Sequence, residues 1–293
     1  MSTPQNINCL TVRDKLRFYK KHPMSFAAYL LVCISAVVTV GILALLVGYI
    51  LVKGIPYLKP ELFAWEYNSE NVSMMPAIIN TFTMTGLTLL IAVPIGIGAA
   101  IYLVEYAGRG NKLVGLVSMT TETLAGIPSI VYGLFGYLIF VIALHFGRSM
   151  LSGALTLAIM ILPTIMRTTE EALKAVPDTY REGSFGLGAG RLRTVFRVVL
   201  PSAVPGILSG IILAIGRIVG ETAALIYTSG TVPGVPTSLM QSGRTLSVHM
   251  YALLSEGLYT DQAYATAVVL LVLVLLINAL AGWVAKRIQA DKG

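Results

Sequence analysis

Residues 200–230 decide the fold, and they read LPSAVPGILSGIILAIGRIVGETAALIYTSG. The part from 205 to 227 can cross a bilayer as one helix, because a span needs about 20 apolar residues. Outward from it, five further apolar blocks lie at 26–52, 78–104, 113–144, 153–166 and 263–283. This pattern predicts an all-α membrane protein with six transmembrane helices.

The composition excludes other classes of protein. Of the 293 residues, 56% are hydrophobic and only 12% are charged, with a mean hydropathy of +0.78. A soluble domain carries roughly twice that charge, so a water-soluble globule and a disordered chain are excluded. The net charge of +7 comes from Lys and Arg in short loops, where they set membrane topology rather than bind nucleic acid.

The distribution of basic residues predicts the topology. With the N-terminus inside, 16 Lys and Arg fall on the cytoplasmic side and four on the outer side. This bias favours six spans with both termini in the cytoplasm. We therefore expect a tail at 1–25, a six-helix transmembrane domain at 26–284 and a second tail at 285–293.

Two blocks have uncertain ends, and the longest outer segment has two interpretations. We expect the fourth span to begin near Ser149 and to continue through Thr169. We expect the third to span from Thr123, after an interfacial stretch at 111–122 that ends with Glu122. Residues 228–262 are expected to fold back on the outer face, as a connector rather than a lid.

Two charges lie inside the fifth block. Arg217 is about 18 Å along a helix that starts at Pro205, near the middle of the bilayer. Glu221 follows four residues later, on the same helix face and within reach. The pair can be a structural salt bridge, or Arg217 can bind a phosphate-like oxyanion with its planar fork. In that second interpretation Glu221 holds the empty fork or accepts a protonated oxygen of the anion.

The inner loop, residues 175–206, predicts a short helix. Thr179 and Glu182 have the spacing of a capping box, and glycines at 186, 188 and 190 suit the end of a helix. The segment is too short and too polar to span. It is either a solvated loop or a helix that docks on a cytoplasmic partner through apolar anchors. Two Gly-x-x-x-Gly pairs, 206/210 and 216/220, predict close helix packing.

The chain has no nucleotide site of its own. A phosphate-binding loop needs a Gly-Lys pair, and the sequence contains none. A secondary transporter that works alone predicts an inverted repeat, and we find none. A membrane-embedded enzyme needs a nucleophile–base or metal-ligand group, which we also do not find.

Several motifs resemble a known family. The stretch REGSFGLG at 181–188 with RVVLP at 197–201 resembles the EAA loop of ABC importer permeases, with Gly183 and Ser184 in place of the usual alanines. The stretches at 101–108, 122–136, 167–177 and 216–223 resemble the PstA family of phosphate permeases. That family usually has a proline soon after the Glu-Thr pair, where this chain has Ala223 and Ala224.

The resemblance implies a type I ABC importer transmembrane domain in a bacterial inner membrane. It implies a coupling helix within 176–200 that meets the ATPase through Tyr180, Arg181, Glu182, Phe185 and Gly188. It places Arg217, Glu221 and Thr222 on the substrate pathway. The implied partners are a PstC-like permease, a PstB-like ATPase dimer that uses ATP and Mg²⁺, and a periplasmic or lipid-tethered phosphate-binding protein. Phosphonate, sulfate or molybdate remain alternative substrates.

Overall fold

The computed structural model describes residues 23–107 and 112–290, and the regular structure in these two ranges is helical. The chain divides into two compact units, Met1–Val52 and Lys53–Gly293. Helix α1, Pro23–Gly54, accounts for the described part of the first unit. Its 32 residues extend about 48 Å, which is more than the hydrocarbon core requires. Most of the expected N-terminal tail lies outside the described residues.

In the part of the chain that the structure describes, nine further α-helices follow α1. They are α2 (Met75–Ile101), α3 (Lys112–Ala125), α4 (Ser129–Gly136), α5 (Met150–Lys174), α6 (Asp178–Gly186), α7 (Arg191–Gly220), α8 (Ala223–Thr228), α9 (Leu246–Glu256) and α10 (Thr260–Ala290). Wider π-helical turns extend α2 to Tyr106 and α4 to Ala143, and one lies inside α7 at Val195–Val199. Five helices are long and apolar enough to cross a membrane, and α3 with α4 makes a sixth span if the bent pair is counted as one. The protein is a multi-pass membrane protein.

The third span departs from the prediction. It does not run on from Thr123, because the chain breaks at 126–128 and bends by 104° between α3 and α4. Pro128 has no amide hydrogen and disfavours helical geometry at the residue before it. The Tyr132 hydroxyl donates to the carbonyl of Leu124 across the break, at 2.8 Å. The expected interfacial stretch is a separate helix, α3, on which Glu122 is exposed.

Helix α5 is the central helix of the second unit. The predicted start is confirmed, because the Ser149 hydroxyl caps α5 by accepting from the amide of Ser152 at 3.2 Å. The helix continues to Lys174, five residues beyond the expected end. It packs against α2 and α7, and most of its apolar middle is buried.

The first Gly-x-x-x-Gly pair brings α7 close to α5. A Cβ on Gly206 would lie 2.6 Å from the Cβ of Ala172, and one on Gly210 would run into the Thr168 side chain. The predicted close packing is therefore confirmed for this pair. The second pair differs, because a Cβ on Gly216 or Gly220 would meet no described atom closer than 3.9 Å.

The segment after α8 folds back on the helices, as expected. The amides of Met150 and Leu151, at the start of α5, donate to the carbonyls of Gln241 and Leu239, both at 2.9 Å. The side-chain amide of Asn80 donates through Nδ2 to the backbone carbonyl of Arg244 at 3.1 Å. The first turn of α9 is buried. The segment is thus a packed part of the fold, which joins α2, α5 and α9.

Candidate functional site

The fifth span ends earlier than the sequence predicted. Helix α7 stops at Gly220, and Glu221 has an extended backbone conformation, with ψ of 129°. Two contacts hold this break. The Glu221 carboxylate accepts from the amide of Ala224 at 3.1 Å, and the Ser247 hydroxyl of α9 donates to the Glu221 carbonyl at 2.6 Å. A carboxylate at this position satisfies a free amide of the first turn of α8.

The predicted pairing of Arg217 with Glu221 is wrong. A four-residue spacing brings two side chains together only within a continuous helix, and this helix ends between them. Within residues 23–107 and 112–290, no carboxylate lies within ion-pair distance of Arg217. Glu221 is buried and caps α8. Thr222, also at the break, is half-buried, and its hydroxyl lies 3.4 Å from the Gly220 carbonyl oxygen.

Arg217 lines a cavity of about 510 Å³ on the side of α7 that faces α5 and α10. The other lining residues are Thr164, Ser209, Ile212, Leu213, Gly216 and Asn278. None of them is acidic, so Arg217 brings the single formal charge to this wall. The cavity joins a guanidinium to the Thr164 hydroxyl and the Asn278 amide, which are groups that can donate to an oxyanion. The Ser209 hydroxyl donates to the Pro205 carbonyl at 3.0 Å.

Asn278 is the residue of this cavity that the sequence reasoning missed. It lies on α10, and its Oδ1 and Nδ2 atoms are 3.9 and 4.0 Å from the point where a Cβ on Gly216 would be. Its Oδ1 atom is buried without a hydrogen-bond partner among the described residues. A lone amide in the apolar run VVLLVLVLLINALAG was the available signal, because polar groups in membrane spans tend to face the protein interior.

The inner loop contains the predicted short helix, α6, but not the predicted cap. Helix α6 begins at Asp178 after Pro177, with no side-chain cap. Thr179 therefore lies within the first turn rather than before it, and the capping box with Glu182 does not form. The predicted end is confirmed, because Gly188 has a φ of +80°, a conformation that glycine adopts without strain.

Arg181 points into the protein rather than toward a partner. Its Nη2 atom lies 2.7 Å from Oε1 of Glu105, and its Nε atom donates to both Glu105 oxygens, at 3.2 and 3.3 Å. It also donates to the carbonyls of Val176 at 2.8 Å and Leu173 at 2.9 Å. Hydrogen bonding to Glu105 raises the pKa of the Arg181 guanidinium. One side chain thus joins α6 to the ends of α2 and α5.

Helix α6 and the residue after it expose three apolar side chains. The exposed fractions of Tyr180 and Phe185 are 52% and 46%, and that of Leu187, just after the helix, is 91%. Glu182 is also exposed. Sequence reasoning found three of these residues and missed Leu187, which was read only as part of the terminating glycine-rich stretch. Apolar anchors on a short rigid helix are suited to insertion into a groove.

A second buried polar cluster lies between the segment before α2 and the start of α9. Arg244 is 4% exposed, and its guanidinium lies 4.6 Å from the ring centroid of Tyr67. The fully buried His249 meets the same ring edge-on, at 6.2 Å. Burial and the charge of Arg244 lower the pKa of His249 to about 3, against a smaller opposing effect of the Val72 backbone. Sequence reasoning gave neither residue a role.

Solved structures with the same fold come from ABC transporters. A bacterial alginate ABC transporter, in complex with its alginate-bound periplasmic protein, aligns with a TM-score of 0.68 at 17% identity over 93% of this chain and 98% of that chain. The MetNI methionine ABC transporter aligns with a TM-score of 0.59 at 21% identity, over 73% of this chain and 93% of that chain. The fold is that of a type I ABC importer transmembrane domain.

Sequence comparison gives the family. The chain belongs to the binding-protein-dependent transport system inner membrane components, whose family model matches residues 92–290. It is 33% identical to the probable ABC transporter permease YqgI of Bacillus subtilis, over 87% of this chain and 92% of that protein. It is 30% identical to the phosphate transport system permease PstA of Haemophilus influenzae, over 92% and 96%. A phosphate transport system permease PstC of Mesorhizobium japonicum is 33% identical, over 82% and 81%.

Proposed function

We propose that this chain is one of two transmembrane subunits of an ATP-driven importer of inorganic phosphate and forms half of its pathway by alternating access. Arg217 carries the proposal, because its guanidinium has no carboxylate partner among the described residues and lines a cavity with hydroxyl and amide groups. An arginine within a membrane span is costly and usually functional. The names of the PstA and PstC relatives support phosphate as the anion.

The proposal gives the residues of the break a supporting role. Arg217 meets the passing anion, whereas Glu221 and Thr222 keep α7 and α8 apart. Because Glu221 caps α8 and its carbonyl accepts from Ser247, movement of α9 is transmitted to the end of α7, four residues after Arg217. The pathway must bind the anion weakly, since a site that binds tightly does not release.

The inner-loop helix is the proposed coupling helix. The exposed side chains of Tyr180, Glu182, Phe185 and Leu187 contact a groove of the ATPase, and Gly188 ends this contact segment. Arg181 was expected to contact the ATPase. Because it faces Glu105 instead, its proposed role is to transmit the movement of α6 to α2 and α5. This division follows from which side chains are exposed and which are paired.

The remaining assignments belong to the same proposal. The chain works with a PstC-like permease, a PstB-like ATPase dimer and a periplasmic or lipid-tethered phosphate-binding protein. Both termini lie in the cytoplasm of a bacterial cell, on the side favoured by the basic residues. ATP and Mg²⁺ are used by the ATPase chain, and this chain binds no cofactor.

The test is ATP-driven uptake of labelled phosphate into vesicles that contain the full complex, with Arg217→Ala and Ser202→Ala compared. Ser202 lies on the same helix outside the Arg217 cavity, and its hydroxyl is bonded to Val198. We expect uptake in the wild type and in Ser202→Ala, and its loss in Arg217→Ala at unchanged complex yield. An absence of phosphate uptake, or displacement of labelled phosphate by sulfate, would assign the permease to another anion.

A further inference from the structure

The inference concerns Thr164, a residue of α5 that lines the same cavity as Arg217. Its side chain is half-buried. Its backbone carbonyl accepts from the Thr168 hydroxyl at 2.9 Å, whereas no described residue makes a hydrogen bond with its own hydroxyl. That hydroxyl is not one of the unpaired polar atoms that packing seals from solvent. It therefore remains accessible from the cavity, with its donor and its acceptor capacity unused.

Thr164 differs in this respect from Ser209, which also brings a hydroxyl to the wall of the cavity. The Ser209 hydroxyl donates to the Pro205 carbonyl of its own helix at 3.0 Å. A ligand must replace that bond before it gains one from Ser209, so the net gain is small. Among the described residues of this wall, Thr164 is thus the one whose hydroxyl is available to a ligand.

The packing of α7 on α5 fixes the height of Thr164 in the cavity. The glycines of the first Gly-x-x-x-Gly pair lie against two residues of α5, in the order Gly206 on Ala172 and Gly210 on Thr168. The residue numbers rise along α7 as they fall along α5, so the two helices are antiparallel. One further step of four residues, about 6 Å along both helices, places Thr164 opposite the α7 residue that lies three before Arg217.

Arg217 reaches this same height from α7. Side chains of a helix tilt toward its N-terminus, so the guanidinium is directed back along α7 toward the level of Thr164. The cavity agrees with this direction, because Arg217 lines it together with Leu213 and Ser209 from the preceding turns of α7. An anion on the guanidinium therefore lies beside the Thr164 hydroxyl.

We infer that Thr164 is a further binding residue of this permease, and that its hydroxyl donates a hydrogen bond to an oxygen of the phosphate held by Arg217. This inference rests on the proposed function. Arg217 supplies the charge and Thr164 supplies a directional donor from a second helix. The site is thereby divided between α5 and α7, so movement of one helix against the other separates the two donors and weakens the site, as release requires.

The test measures phosphate binding to the purified complex without the soluble binding protein, so that the affinity of that protein does not enter. Thermal unfolding is followed against phosphate concentration, and the shift in Tm gives an apparent Kd. Thr164→Val keeps the shape of the side chain and removes the hydroxyl, whereas Thr164→Ser keeps the hydroxyl. Ser209→Ala is the matched control on the same wall. Arg217→Ala, alone and combined with Thr164→Val, separates this cavity from anions bound at the ATPase.

We expect Thr164→Val to weaken phosphate binding about tenfold or more, which is the usual effect of one hydrogen bond to a charged ligand. Thr164→Ser and Ser209→Ala should bind phosphate as the wild type does. In the Arg217→Ala background, Thr164→Val should cause no further loss, because both side chains hold the same anion.

Three results would overturn the inference. They are unchanged binding in Thr164→Val, an equal loss in Ser209→Ala, and a full effect of Thr164→Val when Arg217 is already replaced. The proposed function fails separately, because the uptake assay compares the wild type with Arg217→Ala and does not involve Thr164.

Discussion

Replacement of Arg181 by methionine should show how much Arg181 contributes to stability, as distinct from its contribution to the contact between α6 and α2. The guanidinium is 15% exposed and the Glu105 carboxylate is 8% exposed, with 2.7 Å between the closest atoms. Removing one member of a buried ion pair costs about 3–5 kcal/mol, because the other charge is left unpaired in a poorly solvated place. Arg181→Met should therefore lower the free energy of unfolding by this amount.

The double variant Arg181→Met, Glu105→Leu shows what the pair does beyond stability. Replacing both members of a buried pair by apolar residues is often neutral, so the part of the loss that comes from the unpaired Glu105 carboxylate should return. The carbonyls of Val176 and Leu173 stay without the Arg181 donor. We expect the contact between α6 and α2 to remain uncoupled, because the directional hydrogen bonds are gone. The double variant should then hydrolyse ATP with reduced phosphate uptake per ATP.

The assay compares thermal unfolding, ATP hydrolysis and uptake in the same reconstituted vesicles. The control is Arg167→Met, whose ion pairs with Glu171 at 3.3 Å and Glu122 at 3.8 Å are exposed. Such surface pairs contribute about 0–1 kcal/mol, so this change should leave stability almost unaltered. The reasoning is refuted if the double variant moves as much phosphate per ATP as the wild type.

Two further predictions concern buried positions. The pKa of His249 is about 3, against 6.5 for a free imidazole. As the pH falls from 6.5 toward 3, only the unfolded chain therefore takes up a proton at this residue. The free energy of unfolding should be lower by about 2 kcal/mol at pH 5 than at neutral pH. His249→Leu should remove this acid sensitivity in thermal melts at pH 7.5 and 5, and an unchanged pH profile would contradict the assignment. Gly210→Ala should lower Tm, because the new Cβ would run into Thr168 and overpacking costs about 1–3 kcal/mol. Gly220→Ala, with no atom within 4 Å, should leave Tm unchanged, and equal shifts would count against the packing argument.

The elements that could be predicted from sequence are those governed by local chemistry. Apolar length predicted the spans and a start of the fourth span near Ser149, and glycine at 188 predicted the end of the inner-loop helix. Each depends on residues within one or two turns of the same helix. The first Gly-x-x-x-Gly pair also gave a correct expectation, since its spacing places two small residues on one face.

The site was less predictable, because its geometry depends on residues far apart in sequence. Helix α7 would reach Tyr227 by hydropathy alone, and the contact from Ser247 to Glu221 holds the break. Arg181 reads as an exposed charge on a polar helix until Glu105, 76 residues earlier, is placed beside it. The break in the third span had a signal in the sequence, which is Pro128. That signal is not decisive, because a proline in a membrane span can also be accommodated in an unbroken helix.

The sequence alone determined that the protein crosses a membrane several times and has a short helix between the fourth and fifth spans, because hydropathy and glycine position act over short distances. The tertiary structure decided which polar groups face each other. It separated Arg217 from Glu221, joined Arg181 to Glu105, and brought Asn278 of the last helix to the cavity of Arg217. The physical reason is that a buried polar group takes whichever partner the packing of distant helices supplies, and no local pattern records that choice.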